Sequence, residues 1–376
     1  MLELKIHTDI SAIGPDTWNR LCGSDYPFLR YEFLAALEHS NSVSPQTGWQ
    51  PLHIAVEQNG ETIAVMPLYL KTHSYGEYVF DWSWADAYQR HGLDYYPKLV
   101  TAIPFTPAAG PRIGSSQPTE TLMPALLDAI RQLAERFGAS SWHGLFVEPA
   151  LRQCLEASGL TLRLGTQYHW FNADFRSFDH FMEKFASRKR KNIRRERQKV
   201  LDQQISLRRI EGTDLSPELL DVFYAFYQNT YLKRGRTGYL TPEFFQLLHR
   251  NMPEQLLLVL AEKDGQPVAG ALSLKSSSTL YGRYWGCLDD YDSLHFETCY
   301  YQGIEYCIGQ GLARFDPGAQ GEHKIQRGFQ PIETWSGHWV KHPGFADAIN
   351  KAMGTERDAM RAQIQELTTW LPFRKD

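Results

Sequence analysis

The sequence predicts an α/β (α+β) protein in which one unit is built twice, each copy a mixed, mostly antiparallel sheet flanked by helices. Three observations lead there. Two stretches, VEQNGETIAVMPL and AEKDGQPVAGALS, align without a gap and place Glu57 against Glu262, Gly60 against Gly265, Ile63 against Val268 and Ala64 against Ala269. Strand and helix patterns recur in the same order around each stretch, which a chance match of turn residues does not produce. A length of 376 residues, with 43% apolar and 22% charged side chains, is that of a globular chain with room for two domains.

In the first copy, residues 2–7 alternate as a strand, and helical patterns follow at 12–21 and 31–39. Runs 51–57 and 62–70 form a hairpin hinged at Asn59-Gly60, the dipeptide that best fits a two-residue type I′ turn. The aromatic stretch 78–84 reads as extended and 95–113 holds further strand. A helix at 119–137 starts behind Pro118, then come strand 142–148, helix 149–158 and strand 160–172. The second copy repeats this: strand 205–210, helices 217–233 and 242–250, hairpin 256–274 hinged at Asp264-Gly265, strand 279–288, helix 294–310, strand 312–315, a short helix from Glu322 and strand 331–341. An amphipathic helix, 344–367, closes the chain. The expected division is 1–172, a basic connecting helix at 173–204, 205–342 and a C-terminal helical segment at 343–376. This succession resembles the element order of the GNAT acyltransferase fold, present twice.

The formal charge of −4 argues against a surface that coats DNA, so any polyanion site is local. Cys22, Cys154, Cys287, Cys299 and Cys307 are odd in number and form no C-x-x-C pair, which argues against a disulfide framework or a zinc site. With no signal-like apolar core and no apolar run of about 18 residues, the expectation is a cytoplasmic protein, with peripheral membrane contact open. Residues 178–204 read as one helix containing SRKRKNIRRERQKV, eight cations against Glu196 alone. Arg188, Lys191, Arg195 and Lys199 recur near helical spacing, with Arg194 alongside. They either face a polyanion, such as a nucleotide diphosphate, an RNA acceptor stem or a membrane surface, or form a solvated bridging helix.

Chemistry-bearing residues concentrate in RFDPGAQGEHKIQRGF, residues 314–329. Gly318, Gln320 and Gly321 make a loop whose N–H groups can share one concavity, ahead of a helix bearing Glu322, His323, Lys324 and Arg327. Such an arrangement holds a phosphate, a carboxylate or a developing oxyanion. On helix 294–310, Phe296, Tyr300, Ile304, Cys307 and Ile308 form the core stripe, and Glu297, Tyr301 and Glu305 fall on another face. Glu297 either complements the helix dipole or serves as a base, and His295 beside it titrates near neutrality. Along YGRYWGC, Tyr281, Arg283 and Trp285 share a face; Arg283 either pairs with an acid such as Glu322 or binds an anionic substrate. In DWSWADAYQRH, Trp82 and Trp84 alternate with acids, beside Asp86 and Arg90. They suit a wall that stacks on a sugar, base or peptide, or core packing.

The segments TGWQPLHI, MPLYLKTHSYGEYVFDWSWADAY, PFTPAAGPR, SRKRKNIRRERQKV, LYGRYWG, LHFETCYYQGIEYCI and GAQGEHKIQRGF span nearly the whole chain in this order. They resemble the bacterial peptidoglycan biosynthesis/recognition family of N-acyltransferases, relatives of the FemAB aminoacyl transferases. The resemblance implies tandem GNAT-like domains and acyl or aminoacyl transfer to an amine. GNAT enzymes rest the acetyl-CoA pyrophosphate on a glycine-rich loop. The second-copy counterpart, GCLDDYDSLHF, carries Asp289, Asp290 and Asp292 instead, and the first-copy counterpart holds Gly110, Arg112, Gly114, Ser115 and Ser116. This departure favours an aminoacyl-tRNA donor, with acetyl-CoA and an Arg112 site as the alternative. The acceptor expected is an amine of a cell-envelope precursor or peptide. Without a recognisable Cys or Ser nucleophile motif, the mechanism expected is direct attack in a ternary complex. A third reading is a domain pair that only binds an envelope intermediate or tRNA.

Overall fold

The computed structural model describes residues 2–319 and 321–374. It divides into two compact units, one running to Gly165 and including Glu333–Ala362, the other Thr166–Ile332 with the chain from Gln363 onward. These boundaries differ from the expected cuts at 172 and 342. The reason is register: Gly337 to Val340 pair antiparallel with Gly144 to Ser141, so the end of the last strand belongs to the first unit's sheet.

The first unit comprises β1 (Leu2–His7), α1 (Pro15–Cys22), α2 (Tyr31–His39), β2 (Trp49–Pro51), β3 (His53–Gln58), β4 (Glu61–Met66), β5 (Tyr69–Lys71), α3 (Trp82–Arg90), β6 (Lys98–Thr101), β7 (Gly114–Ser115), α4 (Thr119–Phe137), β8 (Ser141–Gly144) and α5 (Pro149–Ala157). The chain leaves it within β9 (Thr161–Phe171). Strands β1-β3-β4-β7 form one sheet and β8-β6-β5-β2 belong to another. Ile54, Leu99, Leu126, Ile130 and Trp142 join a core cluster that spans both.

The second unit continues with α6 (Phe178–Glu183), α7 (Ser187–Asp202), β10 (Ile205–Glu211), α8 (Pro217–Leu232), α9 (Pro242–Asn251), β11 (Leu256–Lys263), β12 (Gln266–Lys275), β13 (Thr279–Cys287), α10 (Leu294–Phe296), a π-helical turn (Glu297–Tyr301), α11 (Gln302–Gln310) and β14 (Arg314–Asp316). A 3-10 helix (Glu322–Arg327), β15 (Gln330–Val340) and α12 (Pro343–Thr368) complete the chain. Strand order is β10-β11-β12-β13-β14-β9, antiparallel except for β13 with β14. Trp170, Phe181, Ile304, Phe315 and Phe329 fill its core.

The duplication reaches fine detail. Both hairpin turns hold two successive residues at positive φ, Asn59 (53°) and Gly60 (82°), then Asp264 (52°) and Gly265 (72°). This is the geometry a type I′ turn demands. Each hairpin also shifts register at the aligned place, between Val56 and Glu57 and between Ala261 and Glu262.

Four local expectations change. The aromatic stretch expected to be extended enters helix α3, because Trp84 and Tyr88, four residues apart, bury one helical face. The single helix expected over 178–204 breaks into α6 and α7: Phe185, fully buried, takes an extended bridge to Phe373. The strand expected over 95–113 is confined to β6. The helix expected from Glu322 is a 3-10 helix, entered through Gly321 at φ 116°. Among the described residues no helix is long and apolar enough to cross a membrane.

Candidate functional site

Strand β13 carries an extra residue. Leu272 faces Tyr284 and Ser273 faces Gly282, so Arg283 is the bulged position. On its other side β13 pairs with β14 only at Thr279 to Tyr281, against Arg314 to Asp316. Beyond that the strands part, since the bulge bends β13 and Pro317 cannot continue a ladder. The gap holds a cavity of about 80 Å³ whose lining includes Leu272, Arg283, Trp285, His295, Tyr300 and Pro317.

Arg283 does pair with an acid, but with Asp316 rather than Glu322. Its Nη2 lies 2.6 Å from Asp316 Oδ2 and its Nη1 3.2 Å from Oδ1, with both side chains buried. Glu322 is exposed. Asp316 Oδ1 also accepts the Gly318 N–H at 2.9 Å, and His169 Nε2 lies 3.5 Å away. Burial alone would raise the Asp316 carboxyl, yet Arg283 and His169 outweigh it and hold the group well below the usual carboxylate range. Burial pushes His169 down to about 4.

The loop after β14 contains Gly318 at φ 93° and Gly321 at φ 116°, while Gln320 lies outside the described residues. Lys324 does not point outward as a solvated cation. It is buried, and its Nζ turns back to donate to Gly318 O at 2.7 Å and Pro317 O at 3.4 Å. Burial pushes its ammonium down to about 8. Arg327 lies over the Phe296 ring, 3.4 Å from its centroid, and donates to Tyr301 Oη, His323 O and Glu196 Oε1 at 3.1, 2.8 and 2.7 Å. His323 is exposed, with Nε2 3.0 Å from Tyr300 Oη.

The π-helical turn changes the face expected for the site helix. Ordinary helical spacing puts Glu297, Tyr301 and Glu305 on a second face, but the turn's wider winding buries Glu297 and Tyr301. Glu297 accepts from Arg197 Nε and Nη2 at 3.0 and 2.9 Å and from Gln302 Nε2 at 2.8 Å. Its charge is therefore matched by a bidentate partner, and it is not among the cavity-lining residues. His295, two residues earlier, does line the cavity, with its ring edge-on to Trp285 at 5.3 Å. Burial, then the neighbouring His323, Lys324 and Arg327, push His295 down to about 4, so it is neutral at neutral pH.

In the first unit the corresponding gap is closed. After β6 and β8 part, Gly110 and Val147 bridge in parallel and Gly110 N–H donates to Phe146 O at 3.1 Å. Arg112, expected to grip a pyrophosphate, is fully buried between these segments. It donates to Leu145 O, Gly110 O, Pro111 O and Ala108 O at 2.9, 3.1, 2.8 and 2.6 Å. A guanidinium so satisfied has no face left for phosphate. On α3, Trp84 is core, packed on His143 and His338. Trp82 is partly exposed against Tyr75, and Asp86 and Arg90 are exposed. Arg194 and Arg195 are exposed on α7.

Sequence reading passed over Asp316, Glu196 and Arg197. A signal for the last two exists: Ile193 and Val200, seven apart, mark the buried side of α7 and place Glu196 and Arg197 at its margin. Asp316 had only its place ahead of Pro-Gly. Sequence reading also missed a buried network in the first unit, where Lys98 Nζ donates to Asp81 and, at 2.8 Å each, to Glu77 and Ser74.

A profile of the FemAB-like family, described as peptidoglycan biosynthesis/recognition, matches residues 9–375. None of the curated protein sequences matches the chain. Among solved structures, FemX superposes with a TM-score of 0.55 at 14% identity, covering 93% of this chain and 100% of that one. The C-terminal domain of a putative lysylphosphatidylglycerol synthetase from Agrobacterium fabrum gives 0.56 at 11% identity, covering 91% and 96%. A conserved protein of unknown function from Bacteroides thetaiotaomicron gives 0.52 at 12%, covering 91% and 100%. Identities this low speak to the fold alone.

Proposed function

The chain belongs to the FemAB-like family of peptidoglycan biosynthesis/recognition proteins, and from that premise we propose that it is an acyltransferase moving an aminoacyl group onto an amine of a cell-envelope precursor or peptide. The observation that carries this reading is the cavity opened by the Arg283 bulge between β13 and β14. Its size suits an acyl group and an attacking amine rather than a whole nucleotide.

Direct attack needs a neutral amine and stabilisation of the oxyanion. Buried cationic groups serve both, since positive potential lowers an ammonium pKa and favours a developing negative oxygen. Lys324 is not itself on the cavity lining but holds the carbonyl of the lining residue Pro317. It retains most of its charge at neutral pH with a pKa near 8, and its two loop carbonyls leave one of its three donors for the acyl oxygen of a bound donor. His295, neutral and on the cavity lining, accepts from the amine. The C–N bond forms as the ester C–O bond breaks, and the amine's proton ends on the departing ribose oxygen. Glu297 is set aside as the base because Arg197 already holds it.

An ester-linked donor is favoured over acetyl-CoA by what surrounds both candidate pyrophosphate sites. In the first unit Arg112 spends its donors on carbonyls. In the second the segment after β13 presents Asp290 and Asp292, paired with Lys233 and Lys199. The proposed setting is cytoplasmic, where charged tRNA is available. The test incubates purified protein with bulk tRNA charged with labelled amino acids and a nucleotide-linked muramyl peptide. Label on the peptide that disappears with Lys324→Met supports the reading. Transfer from labelled acetyl-CoA instead overturns the donor assignment, and binding of both substrates without transfer leaves only a binding protein.

A further inference from the structure

Helix α7 has two electrostatic faces. On the inner one, Arg197 binds Glu297 and, at 2.6 Å, Glu305, while Glu196 accepts from Tyr301 Oη and from Arg327 at 2.7 Å. Lys189 Nζ donates to Gln326 Oε1. Every one of these partners lies in the π-helical turn, in α11 or in the 3-10 helix; the turn carries Tyr300 and directly follows the α10 residues that include His295, and the 3-10 helix carries Lys324. On the outer face, Arg188, Lys191 and Arg195 are exposed and make no ion pair among the described residues. The next cation in that row, Lys199, is tied to Asp292 at 2.7 Å.

We infer that α7 is a coupling helix: an RNA phosphate backbone docked on Arg188, Lys191 and Arg195 orders, through Glu196 and Arg197, the π-helical turn beside the cavity. The ligand part of this inference rests on the aminoacyl-tRNA reading. RNA is favoured over a lipid surface because the outer face has no exposed apolar side chain between Arg188 and Arg195 to enter a bilayer. The three cations span about 10 Å of helix, a distance that bridges neighbouring phosphates.

The turn is the element with an alternative. Its wide winding makes poorer backbone geometry than the α form, and side-chain clamps from α7 hold it. Docking that removes positional freedom from α7 therefore removes it from the turn as well, and the coupling acts in both directions. A donor thus prepares its own site before the acceptor amine arrives.

Deacylated bulk tRNA is the probe, so docking is read without turnover. In the wild-type protein, tRNA should slow amide exchange at residues 296–302. The combined change Arg188→Glu, Lys191→Glu and Arg195→Glu should weaken binding at least tenfold and flatten the slope of log affinity against log salt by about 2. Glu196→Gln, folded by circular dichroism, should bind tRNA within about twofold of wild type while losing the protection, with Tyr301→Phe as a second variant reporting the same loss. Affinity unchanged by the triple reversal, binding without protection in the wild type, or binding to phosphatidylglycerol vesicles in place of tRNA overturns the inference. Protection by tRNA without any aminoacyl transfer would leave it standing and remove the transferase reading. Transfer without protection would do the reverse.

Discussion

Replacing Asp316 with Asn tests how the open cleft is held. The carboxylate and the Arg283 guanidinium are 1% and 2% exposed and meet in two hydrogen bonds of 2.6 and 3.2 Å. Asn keeps the shape but removes the charge, and its amide hydrogens oppose the guanidinium donors. Breaking a buried pair from one side costs about 3–5 kcal/mol, whereas replacing both partners by apolar groups is often neutral. For a folding unit of this size each kcal/mol moves Tm by about 2–4 °C, so Asp316→Asn should melt about 6–20 °C below wild type. The double change Arg283→Met with Asp316→Leu should recover much of that loss while abolishing transfer, because Asp316 no longer holds Gly318. Thermal unfolding by circular dichroism reads the first effect without knowledge of the substrate. An Asp316→Asn shift under about 2 °C, or a double variant less stable than the single one, would refute the reasoning.

Lys324→Met should lower kcat by about 10²–10³ with the fold retained, the scale for removing one oxyanion donor. With its ammonium pushed to about 8, the transfer rate should fall as pH rises through that value; a rate flat to pH 10 argues against a charged Lys324. Acid stability should follow His169, held neutral in the folded protein down to about 4. The unfolded chain takes up that proton below about 6.5, so stability is intact above that pH and declines beneath it, by about 2 kcal/mol at pH 5. Denaturant titrations of wild type and His169→Gln at both pH values check this, the variant being the flatter. Arg112→Met should lower Tm by stranding backbone carbonyls at about 1–3 kcal/mol each, yet leave KM for charged tRNA unchanged; a raised KM would return Arg112 to substrate binding.

The duplication was legible because turn chemistry is local. Asn59-Gly60 and Asp264-Gly265 announce their turns from two residues each. Helices bounded by proline, such as α4 behind Pro118 and α5 from Pro149, were legible for the same reason. The site was less so, because its geometry depends on departures from period. A bulge at Arg283 and a π-helical turn at Glu297–Tyr301 each insert one residue, and a regular alternation or helical wheel cannot place the residues at the insertion itself, although the stripe beyond the turn, Ile304 and Cys307, is buried as its spacing predicts. Tyr300, read as core, is buried in the core cluster and also lines the cavity; Glu297, left open between a dipole partner and a base, is set against Arg197. Long-range charge pairing was hidden as well, since nothing near Arg197 in sequence points to residues about a hundred positions away.

The two copies show what parting two strands costs and how each copy meets that cost. Wherever parallel strands separate inside a sheet, backbone carbonyls lose their ladder partners and must find others. In the first unit one buried arginine donates to four such carbonyls, and a bridge at Gly110 and Val147 seals the gap. The second unit also uses buried cations, but aims them differently. Arg283 is given a carboxylate, that carboxylate fixes Gly318, and Lys324 takes the carbonyls of Pro317 and Gly318. Because Lys324 is a point charge with rotatable donors rather than a planar fork filled by carbonyls, it satisfies the loop and keeps a proton to give. The same fold with the same buried charge is thus a closed scaffold in one copy and an open, cationic cleft in the other, and the difference lies in whether arginine or lysine answers the orphaned carbonyls.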